Sequence, residues 1–130
     1  MSERSKAQAK ADKYFSLFIR LKNADKNGNC KCATCGKLYH WKNIDCGHFM
    51  TRDQQATRYE EKNVAPQCAS CNRFKGGRQV EMGKYLDLKH GEGTADEMLF
   101  KSKMYCKRDR YDLQVLADHF RIAFNKLKND

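Results

Sequence analysis

Two short cysteine pairs, Cys32-Ala-Thr-Cys35 and Cys68-Ala-Ser-Cys71, stand 32 residues apart. A C-x-x-C turn points both thiolates at one ion, and two such turns complete the tetrahedral sulfur shell that structural Zn²⁺ prefers. A redox C-x-x-C normally comes singly and beside a βαβ unit, a context missing here. Cys30 could replace Cys32 only through the less usual C-x₄-C spacing, so the expected ligands are Cys32, Cys35, Cys68 and Cys71. Cys106 lies far from them in sequence and reads as a packing residue on a helix.

Between the pairs lie Ile44-Asp45-Cys46-Gly47-His48-Phe49-Met50 and then Asn63-Val64-Ala65-Pro66-Gln67, which runs into Cys68 and Asn72. Read coarsely, this is a strand, a loop, a short strand and a helix that starts at the second cysteine pair. Zinc would tie the start of this segment to the start of that helix and bring Asp45 and His48 across from Asn72. A carboxylate and an amide oxygen are hard ligands suited to Mg²⁺, which leaves coordination positions for water and phosphate oxygens. A neutral imidazole beside such an ion can take a proton from water. Cys46 has no base at a suitable spacing and reads as a small buried neighbour. His40, His90 and His119 have no partner motif and read as solvated or packing residues.

These residues need elements to hold them. Residues 7–22 carry apolar side chains at helical spacing, including Ala11, Phe15, Phe18 and Ile19. The spacing predicts further helices over 79–89 and over 111–127, and a third opens between them at Thr94. Thr94-Ala-Asp-Glu97 fits a capping box. Leu113, Leu116, Phe120, Ala123 and Leu127 form a heptad-type seam that would pack on the N-terminal helix or on a second copy. The expected organisation is a single α+β domain over 1–130. A basic helix fills 1–29, a zinc-stapled segment 30–77, and helices 78–130. The middle segment has too little periodic apolar sequence to hold itself by packing, so a metal must supply its stability.

The chain has 130 residues and a formal net charge of +10, with 11% aromatic residues. That content argues against wholesale disorder, and the charge favours an anionic partner such as nucleic acid. Arg4, Lys6, Lys10, Lys13, Arg20 and Lys22 outnumber Glu3 and Asp12 at one end. Lys101, Lys103, Lys107, Arg108 and Arg110 face only Asp109 near the other. No apolar run is long enough to span a membrane and the N-terminus lacks an apolar signal core. Seven cysteines without an export signal fit a reducing cytoplasm.

The combination of Cys32-x-x-Cys35-Gly36, Asp45-x-Gly47-His48, Arg58-Tyr59-x-x-x-Asn63, Gln67-Cys68-x-x-Cys71-Asn72 and Lys75-Gly76-Gly77 resembles the zinc-bearing HNH endonucleases of the ββα-metal type. Within them it resembles the phage NinG (Rap) recombination endonuclease family, and more loosely so through both flanking helical regions. The resemblance implies a Mg²⁺- or Mn²⁺-dependent nuclease that cuts branched DNA, a Holliday junction or D-loop, in the cytoplasm of a bacterial host. It makes His48 the general base, Asp45 and Asn72 the ligands of the catalytic ion, and Asn63 the brace of the hairpin. Arg58 or Arg73 would stabilise phosphoryl charge, although Arg58 could instead form a surface ion pair with Glu60 or Glu61. Arg52, Arg73, Lys75 and Arg78 are the expected DNA contacts.

The sequence departs from the family pattern at two points. Gly47 stands where many HNH proteins have an acid or histidine, so Asp45 would have to reach the ion through a bulge or turn. The N-terminal cysteine-containing segment of some family members does not occur in these residues. Cutting a symmetric junction would suit a homodimer. Two rivals share most of these features: a non-catalytic zinc-dependent DNA-binding protein, and a homing or restriction-type HNH nuclease that reads sequence.

Overall fold

The computed structural model describes residues 1–130. It is a mixed α+β structure of helices and two small sheets, in which a long terminal helix pair supports a short-stranded middle. Helix α1 spans Glu3–Lys22. It begins four residues before the apolar periodicity does, because Ser2 caps it by accepting a hydrogen bond from the Ser5 amide. Its buried stripe is Ala7, Ala11, Phe15 and Ile19.

Strands β1 (Asn29–Lys31) and β2 (Leu38–His40) form an antiparallel hairpin whose connection carries Cys32 and Cys35. Strand β3 (Asp45–His48) pairs antiparallel with β4 (Val64–Gln67) in a second sheet, in the register Asp45–Gln67, Cys46–Pro66, Gly47–Ala65 and His48–Val64. The pairing is continuous, so the bulge expected beside Gly47 does not form. The 49–63 connection contains one α-helical turn, α2 (Gln55–Arg58), and a 3-10 turn over Glu61–Asn63.

A full helix was expected at the second cysteine pair. The chain instead makes a single wide π-turn over Ser70–Phe74 and then reverses through Gly76, Gly77 and Arg78, all at positive φ. Three successive left-handed residues cannot continue a right-handed helix. Only then does α3 (Gln79–His90) begin. It buries Met82, Gly83 and Leu86 and leaves Val80 and Leu88 exposed.

Helix α4 spans Thr94–Ser102. The capping box read from Thr94 and Glu97 is not formed: the Thr94 hydroxyl donates to the Gly91 carbonyl, and Asp87 from α3 accepts from the Ala95 amide. The true capping box lies at α5 (Arg110–Lys128), where Asp109 and Asp112 exchange side-chain and backbone bonds. Cys106 lies in the irregular segment before α5, not on a helix.

Helix α5 packs on α1, but its seam turns slightly from the expected one. Leu113, Ala117, Phe120 and Phe124 are buried, while Leu116, Ala123 and Leu127 flank them half-buried. Phe15 meets Phe120 and Tyr59 edge-on, at ring separations of 4.9 and 5.7 Å, which joins the helix pair to the middle of the chain. A second small core gathers Cys30, Ile44 and three of the paired cysteines under Trp41 and Tyr39. A third sets Ala65 of β4 against Met82 and Leu86. No helix is long and apolar enough to cross a membrane.

Candidate functional site

The four cysteines Cys32, Cys35, Cys68 and Cys71 converge, with all their sulfur atoms within 4.8 Å of one another. The backbone arranges this locally. Amides of Cys68 and Cys71 point at the sulfurs of Cys32 and Cys68, at 3.2 and 3.5 Å. Burial opposes ionisation of Cys32, but the amides of Cys68, Thr34 and Cys35 outweigh it and bring the thiol down to about 6. At Cys35 the Lys37 amide lowers the thiol, yet burial and the sulfurs of Cys32 and Cys68 prevail and push it up to about 11. Thiolates crowded in this way repel one another, and a divalent cation removes the conflict. The donor set therefore fits a structural metal such as zinc. Cys30 stands apart from it, fully buried, with its sulfur donating to the Arg20 carbonyl at 3.1 Å.

A cleft of about 880 Å³ lies beside β3 and is lined by Asp45, His48 and Asn72 together. Asp45 and His48 are three positions apart on a regular strand, so their side chains leave opposite faces. Both line the same space, which therefore runs along the edge of β3 that β4 leaves unpaired. One wall is α1, through Asp12, Phe15, Ser16 and Arg20, and the other is the π-turn and the glycines after it.

The carboxylate of Asp45 is held from that second wall. Asn72 Nδ2 donates to its Oδ2 at 3.0 Å, and Arg73 donates through Nε and Nη2 at 2.9 and 2.8 Å. Arg73 thus supplies the positive charge at the carboxylate. Its side chain is 63% exposed, so swinging it aside costs little. Asp45 and Asn72 would then offer a carboxylate and an amide oxygen to a hard cation such as Mg²⁺ or Mn²⁺.

On the other face, His48 Nε2 lies 3.0 Å from the Arg58 carbonyl oxygen. A carbonyl only accepts, so Nε2 carries the proton and Nδ1 carries the lone pair. Burial lowers the His48 pKa below the ordinary histidine value, and the charges of Arg52 and Arg58 lower it further against the Arg58 carbonyl and Asp12. The imidazole is neutral at pH 7 and able to accept a proton.

Asn63 is fully buried and holds the 49–63 connection closed. Its amide oxygen accepts from the Met50 amide at 2.9 Å, while Nδ2 donates to the carbonyls of Met50 and Thr57. Arg58 does not face the cleft and makes no pair with Glu60 or Glu61. Its buried guanidinium is clamped by Asp12 of α1 at 3.0 and 2.6 Å, while Glu60 pairs with Lys101 and Glu61 with Lys22. The guanidinium groups lining the cleft belong to Arg20, Arg52 and Arg73. Lys75 is exposed on the outer turn and Arg78 is half-buried at the start of α3, and neither lines the cleft.

Motif reading missed the contribution of α1. Asp12, Ser16 and Arg20 recur every four residues immediately beside the apolar stripe Ala11, Phe15 and Ile19. A polar stripe at the edge of a buried helical face was the available signal. Gln67 stood in the motif with no role assigned to it. Fully buried, it donates to the Gly77 carbonyl and to Thr34 Oγ1, which ties β4 to both cysteine turns.

The family model for the bacteriophage lambda NinG protein matches residues 1–130. The chain belongs to the NinG family. It is 31% identical over 91 residues to the proteins named ninG of Escherichia phage lambda, Escherichia phage 933W and Salmonella phage P22. The aligned stretch covers 68% of this chain and 41–42% of those relatives, so the chain spans about two-fifths of the length of the NinG proteins it matches. No solved structure matches it.

Proposed function

We propose that this NinG-family chain is a divalent-metal-dependent DNA endonuclease of the HNH, ββα-metal kind. Its substrate would be branched DNA, such as a Holliday junction or D-loop, in phage recombination within the bacterial cytoplasm. The observation that carries the reading is the meeting of Asp45, His48 and Asn72 in one cleft with Arg20, Arg52 and Arg73. The net charge of +10 supports a polyanionic partner.

In this reading His48 Nδ1 takes a proton from a water molecule, whose oxygen attacks the phosphorus in line. The Arg58 carbonyl holds the imidazole in the tautomer that allows this. Arg52 and Arg73 neutralise charge that develops on the phosphoryl oxygens. Held by Asp45 and Asn72, Mg²⁺ or Mn²⁺ would supply positive charge to the departing 3′-oxygen. The products carry 5′-phosphate and 3′-hydroxyl ends. With zinc bound, Cys32, Cys35, Cys68 and Cys71 would keep the π-turn, and with it Asn72 and Arg73, in place against β3.

The bidentate Arg73–Asp45 pair favours a second reading, a zinc-stapled DNA-binding protein without catalysis. One experiment separates the two. Zinc-loaded protein is incubated with an end-labelled four-way junction and its linear duplex, with Mg²⁺, with EDTA, and as His48→Ala. Junction-selective cutting that disappears in EDTA and in the variant supports the nuclease. Binding without cutting in both Mg²⁺ and Mn²⁺ rejects it.

A further inference from the structure

Phe74 is 82% exposed although it sits between two structured elements. It closes the π-turn whose Asn72 and Arg73 line the cleft, and Lys75 follows it. The turn is not a loose loop. Cys71, a member of the sulfur cluster, anchors it and accepts from the Gly77 amide at 3.1 Å, and the buried Gln67 amide grips the Gly77 carbonyl at 2.8 Å. A large apolar ring held out in water on a rigid support contributes nothing to the core. Its cationic neighbours disfavour burial against an apolar protein surface and favour an anionic partner with flat, stackable faces.

We infer that Phe74 is a stacking platform for a nucleobase face left uncovered next to the phosphate bound in the cleft, the kind of face exposed where the arms of an open branch point end. This rests on the DNA reading above. A base on the nucleotide beside that phosphate needs a π-face just outside the cleft, and Phe74 lies between Arg73 and Gly76, both of which line it. Base–aromatic stacking tolerates any sequence, because every base has such a face. Phe74 would therefore select DNA by structure: a continuous stacked duplex offers it no uncovered face, and an open branch does.

The test measures binding of zinc-loaded full chain in the non-cutting His48→Ala background, with Phe74 intact or changed to Ala or Trp. The probes are a labelled four-way junction, kept open by omitting Mg²⁺, and a linear duplex of one arm. Phe74→Ala is expected to weaken junction binding on the order of tenfold and duplex binding less than twofold, with an unchanged melting temperature. Phe74→Trp is expected to restore junction binding, and its added tryptophan fluorescence to be quenched by the junction but not by the duplex. Unchanged junction affinity in Phe74→Ala, or equal losses on both DNAs, overturns the platform and leaves the DNA reading standing. A change of oligomeric state in Phe74→Ala without a change in DNA affinity assigns the ring to a second copy and overturns it too. Failure of the Phe74-intact protein to bind either DNA overturns the platform together with the reading on which it rests.

Discussion

Asp12 on α1 holds Arg58, 46 residues away, through two hydrogen bonds of 3.0 and 2.6 Å to Nε and Nη2. The same carboxylate accepts from the Tyr59 hydroxyl at 2.8 Å. Burial alone would lower the Arg58 pKa, and Asp12 more than offsets it. Because the Arg58 carbonyl is the partner of His48 Nε2, the N-terminal helix orients the imidazole through Arg58 as well as through Phe15, whose ring lies 6.2 Å from it. Removing one partner of a pair as buried as this leaves an uncompensated charge. Asp12→Ala is therefore expected to lower stability by about 2–3 kcal/mol, read from the midpoint of urea unfolding. A loss below about 0.5 kcal/mol, the range of an exposed pair, would mean that Asp12 does not anchor Arg58.

Gly47 has no room for a side chain. A Cβ there would lie 2.2 Å from Gln67 Oε1 and 2.8 Å from Gln67 Cβ. Gln67 cannot move aside freely, since its amide nitrogen holds Gly77 and Thr34. Gly47→Ala is expected to destabilise the chain by about 1–3 kcal/mol through overpacking, and Gly47→Ala with Gln67→Ala to recover part of that loss. Thermal unfolding of the two variants checks this. No recovery in the double variant would place the strain elsewhere.

The parts that were legible in the sequence are those with short-range signatures. The C-x-x-C pairs encode their own turns, and α1, α3 and α5 announced themselves by apolar spacing, while α4 was read from a capping box that does not form. What could not be read depended on distant partners. Arg58 read as a phosphoryl contact or a surface ion-pair partner because nothing local showed that its counter-ion lies on α1. Thr94 looked like a cap because nothing local showed that Asp87 would take the Ala95 amide. The π-turn replaces a helix because Gly76, Gly77 and Arg78 all adopt positive φ, and Arg78, unlike glycine, gives no such signal in sequence.

His48 should leave a signature in the pH dependence of stability. Burial first, then Arg52 and Arg58, depress its pKa in the fold below the ordinary value of 6.5. The folded state then binds fewer protons than the unfolded state once the pH falls below the unfolded value. Stability is full above about pH 6.5, declines as the pH drops from there toward the folded pKa, and levels off below it. His90 is depressed as well and adds a slope of the same sign. The informative quantity is therefore the difference between the parent and His48→Gln. Urea unfolding from pH 8 to pH 5 is expected to give the variant a shallower decline, and parallel curves would show that His48 does not titrate abnormally.

Metal removal should be the most damaging single perturbation. The core around the cysteines consists of Cys30, Cys32, Ile44, Cys68 and Cys71 with a few flanking side chains, too little to hold two turns and two short strands by packing. A structural zinc site contributes an apparent ~10–16 kcal/mol in small peptides, comparable with the whole stability of a domain. Purified protein is expected to release one zinc per chain when its thiols are blocked. Chelation should unfold the 30–77 segment and, through Trp41 packed on Phe124 at 5.8 Å, loosen α5. Cys68→Ala should lose the zinc. Cys30→Ala should keep it and lose only the buried contact with Arg20, a cost of about 1 kcal/mol. Zinc lost in Cys30→Ala but kept in Cys32→Ala would move the ligand set to the C-x₄-C alternative and with it the anchor of the first turn.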